Sequence, residues 1–288
     1  MAMPQGIGAI DLMLSFPIAD YDRMYDFLRR QAKDKDSKES RFPVEYMFKG
    51  VPYDFGKGRD PVEATLEEMD KWGIERAMIG LGSETTLRAL REHPKRFFAS
   101  TQVDPNRGMD AVRDLVEAYE RHGIKAASCF PAGLFPQVDL NDKKFYPLYA
   151  KCCELGIPIF LNTGVPGPRV PMHCQHVEHL DEVCWFFPEL TVVTYHGCEP
   201  WQDLAVKLML KWPGLHYATS AFAPKHYPKA IVDYANTRGA DKILYAGYFP
   251  MGLSLERIAT ELESVPFRDH VWPKFLRENA IRVLRLEA

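Results

Sequence analysis

Side chains able to do chemistry gather in three short stretches of this 288-residue chain. The first reads Arg169-Val170-Pro171-Met172-His173-Cys174-Gln175-His176-Val177-Glu178-His179. Three histidines at three-residue spacing, beside a thiol and a carboxylate, supply the donor types that hold transition metals. His176 and His179 share one face if a helix starts near Gln175. Arg169 offers a planar guanidinium fork that matches a carboxylate in bidentate fashion. The plainer reading is an exposed His-rich loop with Arg169 at the surface. The second stretch is His196-Gly197-Cys198-Glu199. An imidazole titrating near about 6.5 suits general acid or base work. Glu199 can orient it or act as a second acid or base, although carboxylates favour helix starts on dipole grounds alone. Cys198 is a nucleophile only if a base such as His196 takes its proton. In the third stretch Lys225 stands beside His226 and can bind an anion, though the helix that follows gives both an ordinary N-terminal place. No phosphate-binding Gly-rich loop, Gly-x-Ser-x-Gly elbow or His-Glu-x-x-His pair occurs.

Something must hold these stretches together. Eight short apolar runs read as strands: 7–14, 74–81, 97–103, 124–130, 158–162, 191–196, 215–220 and 242–245. Most are continuously apolar, as strands covered on both faces are. Helical patterns lie between them. Asp60-Pro61 supplies an N-cap and a first-turn proline, and Val62, Leu66 and Met69 recur at helical spacing before Gly73. Gly123, Gly156 and Gly214 likewise precede strands, where a left-handed residue stops a helix. The pattern predicts an α/β protein: a single (β/α)8 TIM barrel over residues 1–288, its strand-end loops gathered on one face. A doubly wound sheet is the alternative, but no Gly-x-Gly-x-x-Gly turn follows the first strand. Residues 16–59 are too long for an ordinary connection and form an insertion after strand 1. Its charge run 33–39 reads as a solvated loop, and its aromatic residues Tyr46, Phe48, Tyr53 and Phe55 must pack somewhere. Following strand 1, the insertion is expected over the catalytic face as a lid or subunit contact.

Composition narrows the partners. Hydrophobic residues make up 46% and charged residues 26%, an ordinary soluble balance that excludes a disordered or fibrous chain. A net charge of -3 with no basic stripe excludes a nucleic-acid binder. No apolar run approaches the roughly 20 residues that cross a bilayer. Six cysteines are too sparse for a disulfide scaffold, and Cys129, Cys152, Cys153 and Cys184 read as small buried hydrophobes. Met1-Ala2-Met3-Pro4-Gln5-Gly6 lacks the pattern of a signal peptide, so a reduced, cytoplasmic protein is expected.

Four segments, in order, carry a family likeness: His93-Pro94-Lys95-Arg96-Phe97, then Phe145-Tyr146-Pro147-Leu148-Tyr149 through Pro158 to Gly164. Phe187-Pro188-Glu189-Leu190 through His196-Gly197 and Pro200-Trp201 follows, then Phe275-Leu276-Arg277-Glu278-Asn279-Ala280. Over nearly its whole length the chain resembles the amidohydrolase-related family of metal-dependent barrels. The likeness is to the branch with aminocarboxymuconate-semialdehyde decarboxylase, γ-resorcylate decarboxylase and lactone and amide hydrolases. That family carries Asp-x-His-x-His on strand 1, a His ending strands 5 and 6, and an Asp ending strand 8. Here strand 1 keeps the Asp as Asp11, but the five remaining ligand positions hold Met13 and Ser15, Asn162, His196 and Tyr248, of which only His196 keeps its type. Thioether, hydroxyl, amide and phenol do not make a zinc site. The expectation is an enzyme without the usual zinc and with no cofactor, a metal returning only through His173, His176 and His196. The resemblance implies a hydrolase of lactone or amide-like bonds, or a non-oxidative decarboxylase or lyase, acting on a small carboxylated or cyclic molecule. Its catalytic residues would be His196, Tyr248, Asn162 and Glu199. Arg169, Lys225, Ser15, Met13 and Asp11 would bind substrate, unless Asp11 only caps the barrel end. A barrel that has lost catalysis and only binds is the alternative, favoured by Met13. The family also implies a homodimer or larger homo-oligomer.

Overall fold

The structure, a computed structural model, describes residues 6–18 and 20–287. The absence of a signal pattern was read largely from residues 1–5, which lie outside the described residues. Eight parallel strands follow one another in sequence order: β1 (Ala9–Asp11), β2 (Ile74–Gly80), β3 (Phe97–Gln102), β4 (Ala126–Cys129), β5 (Ile159–Asn162), β6 (Val192–Tyr195), β7 (Leu215–Ala218) and β8 (Ile243–Leu244). Each falls inside one expected apolar run. Backbone bonds from Leu12 N–H to the Tyr245 carbonyl (3.2 Å), Tyr248 N–H to Met13 (3.1 Å) and Ser15 N–H to Phe249 (2.9 Å) join the last strand to the first. The sheet is therefore a closed (β/α)8 barrel, as expected.

Strand β1 is short because Asp11 bends the chain. Its Oδ1 accepts from Met13 N–H two residues on (2.9 Å), the local turn that aspartate favours. The same oxygen accepts from Gly247 N–H across the seam (2.8 Å). Inside the barrel, Ile10, Leu12, Phe160, Val193, Tyr195 and Leu244 form a buried inner layer. A larger layer fills the space between strands and helices. The helix Pro61–Lys71 starts where Asp60 accepts from Val62 and Glu63 N–H. Gly123 and Gly156 end their helices in the left-handed conformation (φ 58° and 66°). Gly214 does not: a Cβ there would collide with the Leu190 carbonyl, so its role is close approach.

The described part of the insertion folds onto the barrel. Its charge run is partly a helix, Lys35–Glu39, capped by Asp34, rather than a solvated loop. Tyr21, Tyr25, Leu28, Phe42 and Val44 make a small core of their own, against which Phe48, Tyr53 and Tyr248 pack. Phe55 meets Phe249 edge-on at 4.7 Å, while Tyr46 stays exposed and donates to the Gly167 carbonyl (2.6 Å). Three further contacts pin the insertion to the barrel loops: Arg169 to Asp34 (2.7 Å), Gln31 to the Gly133 carbonyl (2.7 Å) and Arg257 to the Lys49 carbonyl (2.9 Å).

The seam makes a sharp demand at Gly247. A Cβ there would stand 2.5 Å from Asp11 Oδ2, a carboxylate held in place by two backbone bonds. Gly247→Ala is expected to destabilise the fold by about 1–3 kcal/mol, read from the urea midpoint. An unchanged midpoint would refute this account of closure.

Candidate active site

At the C-terminal ends of the strands the barrel opens into a cleft of about 1890 Å³. Met24, Phe27, Phe42 and Phe48 of the insertion form part of its wall. Met13, Ser15, Asn162, His196, Glu199, Lys225 and Tyr248 all line it, so these separated positions meet in one place. Arg169 and Asp11 are not among its lining residues.

His196 follows β6 with φ 63°, and Tyr248 follows β8 with φ 113°. Both conformations are strained for residues with a side chain, and they hold the two rings at the mouth. Ser220, two residues after β7, braces His196 twice: its Oγ accepts from His196 N–H (3.1 Å) and lies 3.0 Å from Nδ1. The His196 and Tyr248 rings meet edge-on at 5.4 Å, and Phe48 stacks on the other ring at 5.5 Å. Burial drives the His196 pKa down to about 4, because the interior disfavours imidazolium. Burial pushes the Tyr248 phenol up, so it stays protonated. With the Asn162 amide and Ser15 hydroxyl, the mouth is an uncharged group of hydrogen-bonding side chains. Cys198 is buried against Thr163 Oγ1 (3.1 Å), and burial lifts its thiol to about 11, which removes it as a nucleophile.

Several expectations move. Arg169 is outside the cleft, ion-paired with Asp34 at 2.7 Å and Asp36 at 3.4 Å, with Tyr46 beneath its guanidinium. It fastens the insertion and is in no position to clamp a substrate carboxylate. Two arginines do line the cleft, Arg23 of the insertion and Arg257 on the helix Leu255–Leu262. Arg257 Nε (2.9 Å) and Lys225 Nζ (3.4 Å) share the Glu261 carboxylate, so two cations face one anion. Glu199 is exposed and accepts from Gln202 (3.1 Å); no bond joins it to His196 among the described residues. Asp11 is fully buried with Oδ2 lacking a well-formed hydrogen bond, and its role is at the barrel seam. Burial raises its carboxyl to about 6 against the opposing pull of the Gly247 and Met13 N–H groups.

The expected helix start near Gln175 is also displaced. A 3-10 turn spans His173–Gln175 and the helix begins at His179. His176 packs against Trp201 in a tilted pair at 3.9 Å, and among the described residues it joins no donor cluster with His196. Instead His173 and His179 converge with Asp139, their candidate ligand atoms all within 4.8 Å of one another. Ser220, Arg257 and Asp139 went unread because none sits in a motif; each acquires its partner from a distant part of the chain.

A family model described as amidohydrolase matches residues 18–286. A comparison with curated proteins finds no match. Among solved structures, an uncharacterised TIM-barrel protein from Bordetella bronchiseptica is similar, at 24% identity and TM-score 0.76 over 96% of this chain and 98% of that one. A 2,6-dihydroxybenzoate decarboxylase from Rhizobium follows at 16% identity and TM-score 0.66, covering 97% and 99%. A 5-carboxyvanillate decarboxylase from Novosphingobium aromaticivorans, with bound manganese, stands at 15% identity and TM-score 0.68, covering 99% and 100%. The expectation of no cofactor is overturned on two counts. Solved relatives contain manganese, and Asp139, His173 and His179 form a donor group that could hold a metal. The family's own ligand positions do not fit such an ion. Met13 packs on the apolar inner layer, the Tyr248 phenol is held protonated, and His196 is the lone imidazole there.

Asp11 makes stability depend on pH. Its folded pKa of about 6 lies above the unfolded value of 3.8, so its contribution is full below pH 3.8 and is lost as pH rises through 6. Asp11→Asn removes that slope. The stability difference between wild type and variant is expected to change by on the order of 3 kcal/mol between pH 4 and 7 in urea titrations. Parallel curves would contradict the assignment.

Proposed function

This chain belongs to the amidohydrolase family, and on that footing we propose that it is a carboxy-lyase removing CO2 from a small carboxylated aromatic or cyclic acid. The observation that carries the reading is the uncharged group of hydrogen-bonding side chains at the mouth of an aromatic-walled cleft with cations in its wall. Arg257 and Lys225 outweigh Glu261 and draw a carboxylate in. Met13 and Leu12 give the carboxyl an apolar neighbourhood, in which losing CO2 disperses charge. As the C–C bond breaks, its electron pair moves onto a conjugated oxygen of the substrate. The Tyr248 hydroxyl and the Asn162 amide donate to that oxygen, and neither carries a charge that would have to be neutralised first. The ring carbon that lost CO2 then takes a proton from solvent water as the electron pair returns to it from that oxygen, and bulk solvent neutralises the hydroxide left behind, so Tyr248 keeps its proton throughout. His196 orients Tyr248 from the side and, being uncharged, adds no competing anion or cation.

General-base hydrolysis is less well served. It asks His196 to take a proton from water, and burial makes this imidazole a weaker base than a free one. The segment 16–59 acts as a lid, held shut by Arg169 and Asp34. A binding-only barrel is the second reading, favoured by Met13 at a position where a ligand or acid would otherwise stand.

CO2 release from a panel of hydroxybenzoic and related cyclic acids tests the proposal. Tyr248→Phe and Asn162→Ala are each expected to lower kcat by about 10²–10³-fold, the scale for removing an oxyanion donor. Arg257→Met is expected to raise KM about tenfold with kcat largely kept. Full activity in Tyr248→Phe would reject the mechanism, and tight acid binding without turnover would favour the binding-only barrel.

The lid has its own readout. Arg169→Ala is expected to speed proteolytic cleavage within 16–59 and to raise KM more than it lowers kcat. Unchanged cleavage would mean that the ion pair fastens nothing.

A further inference from the structure

Asp139 and His173 lie on the loops that follow β4 and β5, and His179 opens the helix after the second loop; none of the three lines the cleft. Their backbones are already fixed. Leu140 N–H donates to the Cys174 carbonyl (3.2 Å), which zips the residue after Asp139 to the residue after His173. The buried Tyr149 hydroxyl holds the Leu140 carbonyl from below (2.7 Å). Leu140, Cys174, Val177 and Leu180 are all buried, so the donors project from packed backbone rather than from free loops. The His179 ring is set by its Nε2, 3.0 Å from the His173 carbonyl; that nitrogen must carry the proton, which leaves the lone pair on Nδ1. The His173 and His179 rings meet edge-on at 5.1 Å, and His173 Nε2 lies 3.6 Å from Asp139 Oδ2.

We propose that Asp139, His173 and His179 bind one borderline divalent transition metal, which clamps the two loops at the rim of the cleft. Two imidazoles and a carboxylate suit zinc, cobalt, nickel or manganese, with water completing the shell. The role is structural. The three ligands do not line the cleft, but Gln175 between the two histidines does. Gln175 donates to the Gly164 carbonyl (3.0 Å) and accepts from Ala132 N–H (3.2 Å), tying together the loops after β4 and β5. An ion on its neighbours would stiffen that brace. The site is independent of the reaction proposed above: neither His196 nor Asn162 takes part.

The test titrates chelator-treated, desalted full-length protein with Zn²⁺ and with Mn²⁺ by calorimetry, alongside melting curves and hydrogen exchange. The expected result is one equivalent of Zn²⁺, a raised Tm, and slower exchange in residues 131–142 and 170–179. His173→Ala and His179→Ala should each weaken binding at least tenfold. His176→Ala and His196→Ala should leave it unchanged. Since His173 is exposed, the metal-free Tm of His173→Ala should match that of the wild type, which separates lost binding from lost folding. No saturable binding, binding untouched in both ligand variants, or binding abolished by His196→Ala would each overturn the proposal.

Discussion

One buried carboxylate braces the seam where backbone bonds close this barrel. Asp11 Oδ1 accepts from both Met13 N–H and Gly247 N–H, joining the end of β1 to the chain just past β8. The price is a buried acid whose pKa rises to about 6 and whose second oxygen lacks a well-formed hydrogen bond. Met13 and Tyr248 are bonded to each other through the backbone one step further along the seam. The two sides of the cleft mouth are thereby set by the same interaction that braces the seam. Gly247 has no side chain because the carboxylate occupies that space.

From this seam the electrostatics of the cleft follow. The groups nearest the barrel axis are enclosed by the inner apolar layer below and by the insertion above. Enclosure disfavours charge, so His196 loses its proton and Tyr248 keeps its own. Charges occur farther out, where Arg257, Lys225 and Glu261 remain partly solvated. An anionic, ring-containing molecule would meet cations first and uncharged donors second. That order suits a reaction in which a carboxylate is drawn in and then loses its charge as CO2.

Much of the framework was legible in the sequence. Strands buried on both faces must be continuously apolar, so eight runs in order gave eight strands, each slightly shorter than its run. Their ends named Asn162, His196 and Tyr248, and the barrel put all three in one cleft. What escaped depended on partners far away in sequence. Arg169 resembled a substrate clamp until Asp34 and Asp36, some 130 residues earlier, claimed it (|i−j| = 135 and 133). Arg257 stands in no motif, yet it lines the cleft. The three histidines of 173–179, after β5, advertised a metal, but only Asp139 from the loop after β4 shows which two of them converge. Spacing fixed the helix face wrongly there because the helix begins at His179 and a tight turn precedes it.

The central claim is that enclosure keeps the mouth uncharged, and His196 reports on it directly. Titrating the histidine imidazoles by NMR, with His196→Asn identifying the resonance, measures its pKa without any knowledge of the substrate. The account predicts a neutral ring throughout the physiological range and a midpoint near 4. A midpoint at the ordinary value of 6.5, or an imidazolium persisting at neutral pH, would contradict it.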